Sequence, residues 1–228
     1  MRFAIYYTAP ADDPLTRLAS AWLGRDAFSG AAIDARDGPD ALTAAPRRYG
    51  FHGTLKAPFH LAPGADQADL ITAFHAFAAR QAAFELAGLN VGQLGAFFAL
   101  VPDGTEPQLH ALADDCVRSF EPFRRALTPQ DIARREPHLL TARQRDHLQQ
   151  WGYPFVFDDF RFHMTLTGPV PAEQAPGVAA TLKKHFASVI DQPRQIATIG
   201  LSVEPEPGAD FRIIELAQLG APDSRGNA

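Results

Sequence analysis

The sequence predicts an α+β fold: two pseudo-symmetric lobes of antiparallel sheet, helices packed outside, and a central cleft between the lobes. Three observations carry this expectation. A short phrase occurs twice, as His52-Gly53-Thr54-Leu55 and His163-Met164-Thr165-Leu166, 111 positions apart. Each copy lies in a strand-like run, and each run is followed by the same order of helix, strand, strand. The composition, 46% hydrophobic and 21% charged over 228 residues, is that of an ordinary globular chain long enough for a sizeable core.

The elements follow in order. Residues 2–8, rich in aromatic and aliphatic side chains, read as a strand. Residues 13–24 read as a helix that starts at Pro14 and stops at Gly24. Gly30, Gly38, Pro39 and Pro46 interrupt the stretch from Ser29 to Arg48. It reads as a loop with a short helical turn, either a lid beside the first phrase or plain surface irregularity. The first motif strand, Tyr49 to Phe59, leads into a helix over 66–83 with Leu70, Ile71, Phe74, Phe77 and Ala78 at helical spacing. Strands near 84–92 and 96–101 come next.

Two more helices are expected at about 106–119 and 129–150. The second carries Arg134, Arg135, Glu136, Arg143, Arg145 and Asp146, which read by default as a solvated face, with a role in substrate binding as the alternative. The second motif strand, Phe160 to Pro169, precedes a helix over 171–187 and strands near 194–204 and 210–219. His52 to Phe97 spans 45 positions, and His163 to Phe211 spans 48. Repeat segments at about 49–102 and 160–219 therefore flank a helical connection at about 105–150, all in one bilobal domain of residues 1–228. The polar tail, 221–228, reads as disordered.

Composition narrows the function. A net charge of −5 argues against a surface that coats long nucleic acid by neutralising phosphates. There is no run of about 18 apolar residues and no signal-peptide architecture at the start, so neither a membrane partner nor export is expected. The single Cys116 fits a reducing cytoplasm and reads as helix filler. Cations nevertheless gather at the phrases: Arg47, Arg48 and Lys56 around the first, Arg161 before the second. That arrangement suits a small anionic substrate.

In an extended strand, side chains alternate faces. His52 and Thr54 share one face, His163 and Thr165 share another, and Leu55 and Leu166 point to the core. By the same count Lys56 and Thr167 continue those faces, and Arg161 sits on that of His163. Histidine titrates near neutral pH, so a pair can present one base and one acid together. Cleavage of a phosphodiester needs that pair: one group takes a proton from the attacking oxygen and the other gives one to the departing oxygen. Hydroxyls and cations beside them can hold the non-bridging oxygens. His52 and His163 are thus the candidate catalytic residues. Thr54, Thr165, Lys56, Arg161, Tyr49 and Thr167 are the candidate substrate-binding residues. Tyr6 or Tyr7 enters the cleft or joins the core. His60, His75, His110, His138, His147 and His185 lack a matching partner and read as surface or helix residues.

The paired His-x-Thr phrases on a duplicated framework resemble the two-histidine (2H) phosphoesterase superfamily. The extended forms, Arg48 to Phe59 and Phe160 to Gly168, resemble a bacterial branch associated with phosphonate-utilisation operons. The resemblance implies cofactor- and metal-independent cleavage of a cyclic phosphodiester, with His52, Thr54, His163 and Thr165 as catalytic or phosphate-binding positions. For that branch it implies a phosphorylated ribose carrying a 1,2-cyclic phosphate. Other readings keep the fold and change the substrate to RNA ends, through 2′,3′-cyclic phosphate hydrolysis or 2′–5′ ligation, or make the protein a non-catalytic binder of cyclic phosphates. No standard metal-ligand spacing such as His-Glu-x-x-His supports a metal hydrolase. Neither the oligomeric state nor which histidine is acid and which is base follows from the sequence.

Overall fold

A computed structural model describes residues 1–34 and 37–220; the tail expectation for 221–228 lies outside the described residues. Nine strands and seven α-helices lie along these residues. The strands are β1 (Arg2–Tyr7), β2 (Gly53–Phe59), β3 (Phe84–Leu86), β4 (Leu89–Leu94), β5 (Phe97–Pro102), β6 (Met164–Thr165), β7 (Arg194–Ile196), β8 (Thr198–Glu204) and β9 (Arg212–Gln218). The helices are α1 (Pro14–Leu23), α2 (Asp40–Arg47), α3 (Gln67–Arg80), α4 (Pro107–Ser119), α5 (Pro129–Ala133), α6 (Ala142–Trp151) and α7 (Ala175–His185). No helix among them is long and apolar enough to cross a membrane.

Seven strands form one antiparallel sheet in the order β4-β5-β6-β2-β1-β8-β9. The two motif strands are neighbours at its centre, with Gly53 opposite Met164. The repeats exchange their hairpins. β4–β5 of the first repeat pairs with β6 of the second, while β8–β9 of the second pairs with β1, next to β2. The helices follow: α3 packs on β8 and β9, and α7 packs on β4. β3 and β7 pair separately, with Glu85 opposite Gln195. Corresponding residues of the repeats thus face each other at two places, as a pseudo-two-fold axis through both pairs requires.

Alternation along β1 separates two layers. Phe3, Ile5 and Tyr7 join the large core, to which α1, α3, α4 and α7 contribute Leu15, Phe74, Leu112 and Leu182 among others. Ala4 and Tyr6 face the other side and pack with Phe211 and Tyr49. Local chemistry sets the helix ends. The Asp13 carboxylate accepts from the Leu15 amide at the start of α1, and Gly24 ends it at φ 79°.

Three expected elements divide. The run 84–92 becomes β3 and β4, which enter different sheets. The run 194–204 divides in the same way into β7 and β8. The expected helix over 129–150 breaks where Glu136 takes φ 46° before Pro137, and α6 restarts on a Thr141–Gln144 capping box. Within the stretch expected as loop, Asp40–Arg47 forms a full helix.

Candidate functional site

The site is built on the junction of β2 and β6. Continuing the register from the Gly53–Met164 pair sets His52 opposite Thr165 and Thr54 opposite His163. Directly opposed residues share a face, so all four side chains stand on the cleft side while Met164 is fully buried in the core. Close strand approach depends on Gly53. A Cβ there would lie 2.4 Å from Cε2 and Cζ of Phe162, whose ring is itself buried.

β6 is only two residues long, and other contacts fix it. The amides of Leu166 and Thr167 both donate to Phe98 O, at 2.9 and 3.2 Å. Trp22 Nε1 of α1 donates to Leu166 O at 2.9 Å. The Thr167 hydroxyl accepts from the Phe98 amide at 2.9 Å.

Both histidines are held the same way. His52 Nδ1 lies 2.9 Å from Gly50 O, and His163 Nδ1 lies 2.8 Å from Arg161 O. A carbonyl can only accept, so each Nδ1 carries the proton and donates it. That leaves Nε2 of both rings free for chemistry. The His52 ring also stacks on Tyr6, with centroids 3.8 Å apart. Burial, with repulsion from His163 adding to it, pushes the His52 imidazolium down from 6.5 to about 4, against the pull of its bond to Gly50. His52 is therefore neutral at pH 7.

The cleft has adjoining compartments. One of about 360 Å³ is lined by His52, Thr54, Thr165, Thr167, Tyr6 and Tyr49, among others. Another of about 650 Å³ contains His163 and Arg161. Thr54, Ala57, Phe97 and Tyr153 line both. A third, of about 720 Å³, is rich in arginine and shares Arg2, Tyr49, Arg135 and Tyr153 with the first.

The structure brings most of the sequence candidates together, with two corrections. Lys56 does not share the face of His52 and Thr54. Tyr6 pairs with Thr54 but Ile5 pairs with Lys56, so a bulge inserts one residue and turns Lys56 to the helix side with Leu55. Its ammonium is buried and bonds Val117 O at 3.0 Å and Glu121 Oε2 at 3.1 Å. Thr167 lines the cleft, but its hydroxyl is fully buried on the Phe98 amide and acts as a backbone brace.

Tyr49 stacks on Phe211 at 5.2 Å and tilts toward His52 at 6.2 Å. Arg161 is exposed beside His163. Cys116 is buried, and burial pushes its thiol up, as a filler requires. Sequence reasoning did not single out Arg2, Arg135, Tyr153 or Phe97. For Tyr6 the alternation of β1 held the signal. It held the signal for Arg2 too, four residues back on the same face of β1, while Arg135, Tyr153 and Phe97 reach the cleft from other elements and carried none. Among the described residues, no group of three or more His, Cys, Asp or Glu side chains is arranged to hold a metal ion.

Comparison with known proteins places these features in a lineage. The chain is 38% identical over 222 residues to "Ribose 1,5-bisphosphate phosphokinase PhnN" of Janthinobacterium sp. (strain Marseille), covering 92% of this chain and 49% of that protein. It is 36% identical over 223 residues to the protein of the same name from Laribacter hongkongensis (strain HLHK9), covering 96% and 52%. The chain thus spans about half the length of the curated relatives it matches. Among solved structures it is similar to TT0787 of Thermus thermophilus, with 16% identity, TM-score 0.48, and coverage of 97% and 99%. It is also similar to E. coli LigT complexed with NADP+, with 15% identity, TM-score 0.42, and coverage of 96% and 98%. A family model matches residues 54–212, more than half of the chain, and the chain belongs to that family, described as "Protein of unknown function (DUF1045)".

Proposed function

We propose that this chain is a phosphoesterase that opens a small cyclic phosphodiester by proton transfer through His52 and His163. One observation carries the reading: two His-x-Thr motifs paired antiparallel on one face, each imidazole tied at Nδ1 and free at Nε2. In this mechanism neutral His52 takes a proton from water through Nε2 as the water oxygen attacks phosphorus. His163, protonated at Nε2, gives its proton to the ring oxygen that departs from the far side, leaving an acyclic phosphomonoester. The Thr54 and Thr165 hydroxyls donate to the non-bridging oxygens, where charge grows. A value of about 4 makes free His52 a weak base. The bound phosphate anion stabilises the imidazolium that forms and so raises its basicity during transfer. The two protons then exchange with solvent to restore the starting states.

The substrate within this reading is a 5-phosphoribosyl 1,2-cyclic phosphate, as phosphonate breakdown would supply. The name of the curated relatives supports it, since each is called a ribose 1,5-bisphosphate phosphokinase. Hydrolysis of the bond between phosphorus and O2 of that cyclic compound yields ribose 1,5-bisphosphate, the compound in the name. Phosphorus NMR tests the reading: the cyclic signal is replaced by that of an anomeric 1-phosphate. No product from this compound, alongside opening of a nucleoside 2′,3′-cyclic phosphate, overturns the sugar assignment in favour of RNA ends. Binding of both without turnover overturns the catalytic reading.

A further inference from the structure

Arg135 is exposed, as its place in a solvated charge run predicts, yet it is not on a helix. It lies beyond the end of α5 and lines the same compartment as His52. The turn that puts it there is built on Glu136, whose φ of 46° lies in the left-handed region a non-glycine residue seldom adopts. The guanidinium of Arg135 sits over the Tyr153 ring, 5.2 Å from its centroid. Among the described residues it has no carboxylate partner, unlike its neighbour Arg134, which is paired with Asp131. Arg2, which lines the same compartment, and Arg48, which lines the adjoining one, share one carboxylate, that of buried Glu204. Two guanidinium charges on one carboxylate leave this cluster with an excess of one positive charge. In the adjoining compartment, the buried Nε of Arg125 has no hydrogen-bond partner.

We infer that Arg135, carried on Tyr153 and lining one compartment with Arg2, forms a second anion site that binds a phosphate monoester at the far end of the substrate. This inference rests on the proposed phosphoesterase reading and deepens it. The cyclic diester occupies the histidines, and a dianionic monoester on the same small sugar occupies Arg135. A compartment of about 360 Å³ holds a molecule of that size. A guanidinium on a stacked platform presents its donors in a fixed fork, the geometry that recognises phosphate oxygens. Arg135 then separates phosphorylated from unphosphorylated cyclic sugars, while His52 and His163 act on either.

The test compares kcat/KM for 5-phosphoribosyl 1,2-cyclic phosphate with that for the same cyclic sugar lacking the 5-phosphate. Wild type prefers the phosphorylated compound, and Arg135→Ala lowers the ratio by about 10- to 100-fold, the range of a charge-assisted hydrogen-bond pair. Arg135→Lys keeps part of the preference, because it retains the charge and loses the fork. A ratio within twofold of wild type in Arg135→Ala overturns the inference. A second arm does not depend on turnover: calorimetric binding of ribose 5-phosphate, expected to weaken at least tenfold in Arg135→Ala. Equal affinity there also overturns it. If neither cyclic compound is hydrolysed but ribose 5-phosphate binding depends on Arg135, the anion site stands and the phosphoesterase reading falls.

Discussion

Gly53→Ala tests the close pairing of the motif strands through one methyl group. The added Cβ would sit 2.4 Å from two carbons of the Phe162 ring, where ordinary carbon contacts are about 3.5–4.0 Å. Strands or ring must therefore move by about 1 Å. The ring has little room, being 6% exposed and packed 5.9 Å from Tyr7. Gly53 is absent from the positive-φ glycines, so alanine meets no backbone penalty and the whole cost comes from the contact. Overpacking of this kind costs about 1–3 kcal/mol, and a shift of about 1 Å at the reacting groups costs about 10²-fold in rate. Urea unfolding of Gly53→Ala, Phe162→Leu and the double variant measures the first effect. Phe162→Leu alone loses about 1–2 kcal/mol to a cavity. The smaller side chain also makes room for the methyl, so the double variant loses at least about 1 kcal/mol less than the sum of the two. Strict additivity, or a Gly53→Ala protein as stable as wild type, refutes the packing argument.

Acid lowers stability through His52. With 6.5 for the unfolded chain and about 4 in the fold, the unfolded state binds the extra proton between those values. Stability is therefore full above pH 6.5, falls as pH drops toward 4, and loses nothing further from this group below that. At about 1.4 kcal/mol per tenfold change in the proton equilibrium, the loss is at most about 3.5 kcal/mol. Urea midpoints for wild type and His52→Gln should diverge in slope across this window, and parallel slopes contradict the burial argument. Lys56→Met removes an ammonium that satisfies Val117 O, while Glu121 keeps Arg124. It should cost about 1–2 kcal/mol in urea unfolding, with kcat/KM within about threefold of wild type if Lys56 stays out of the reaction. A tenfold loss of kcat/KM with stability intact would return Lys56 to the substrate.

What the sequence made legible was local. Period-two alternation identified the faces of His52, Thr54, His163 and Thr165, and capping residues located α1. What it concealed depends on long-range pairing. The hairpin exchange comes from β5 meeting β6 and β8 meeting β1, contacts that no local pattern encodes. Lys56 was misread because the face count assumes an unbroken strand, and the bulge beside Leu55 breaks it. Arg135 is solvated as expected, but the charge pattern of 129–150 does not report that the break at Glu136 also brings it to the cleft. The Nδ1 bonds to Gly50 and Arg161 span two residues each, yet they depend on side-chain rotation that strand periodicity does not report.

The central claim is that His52 and His163 act as one proton-transfer unit. Single-turnover kinetics on 5-phosphoribosyl 1,2-cyclic phosphate with His52→Ala, His163→Ala and the double variant test it most directly. Each single variant should lose about 10²–10⁴-fold in rate, and the double variant should lose no more than about tenfold beyond the worse single, because a unit missing one member has already failed. Either single variant turning over within tenfold of wild type would contradict the account.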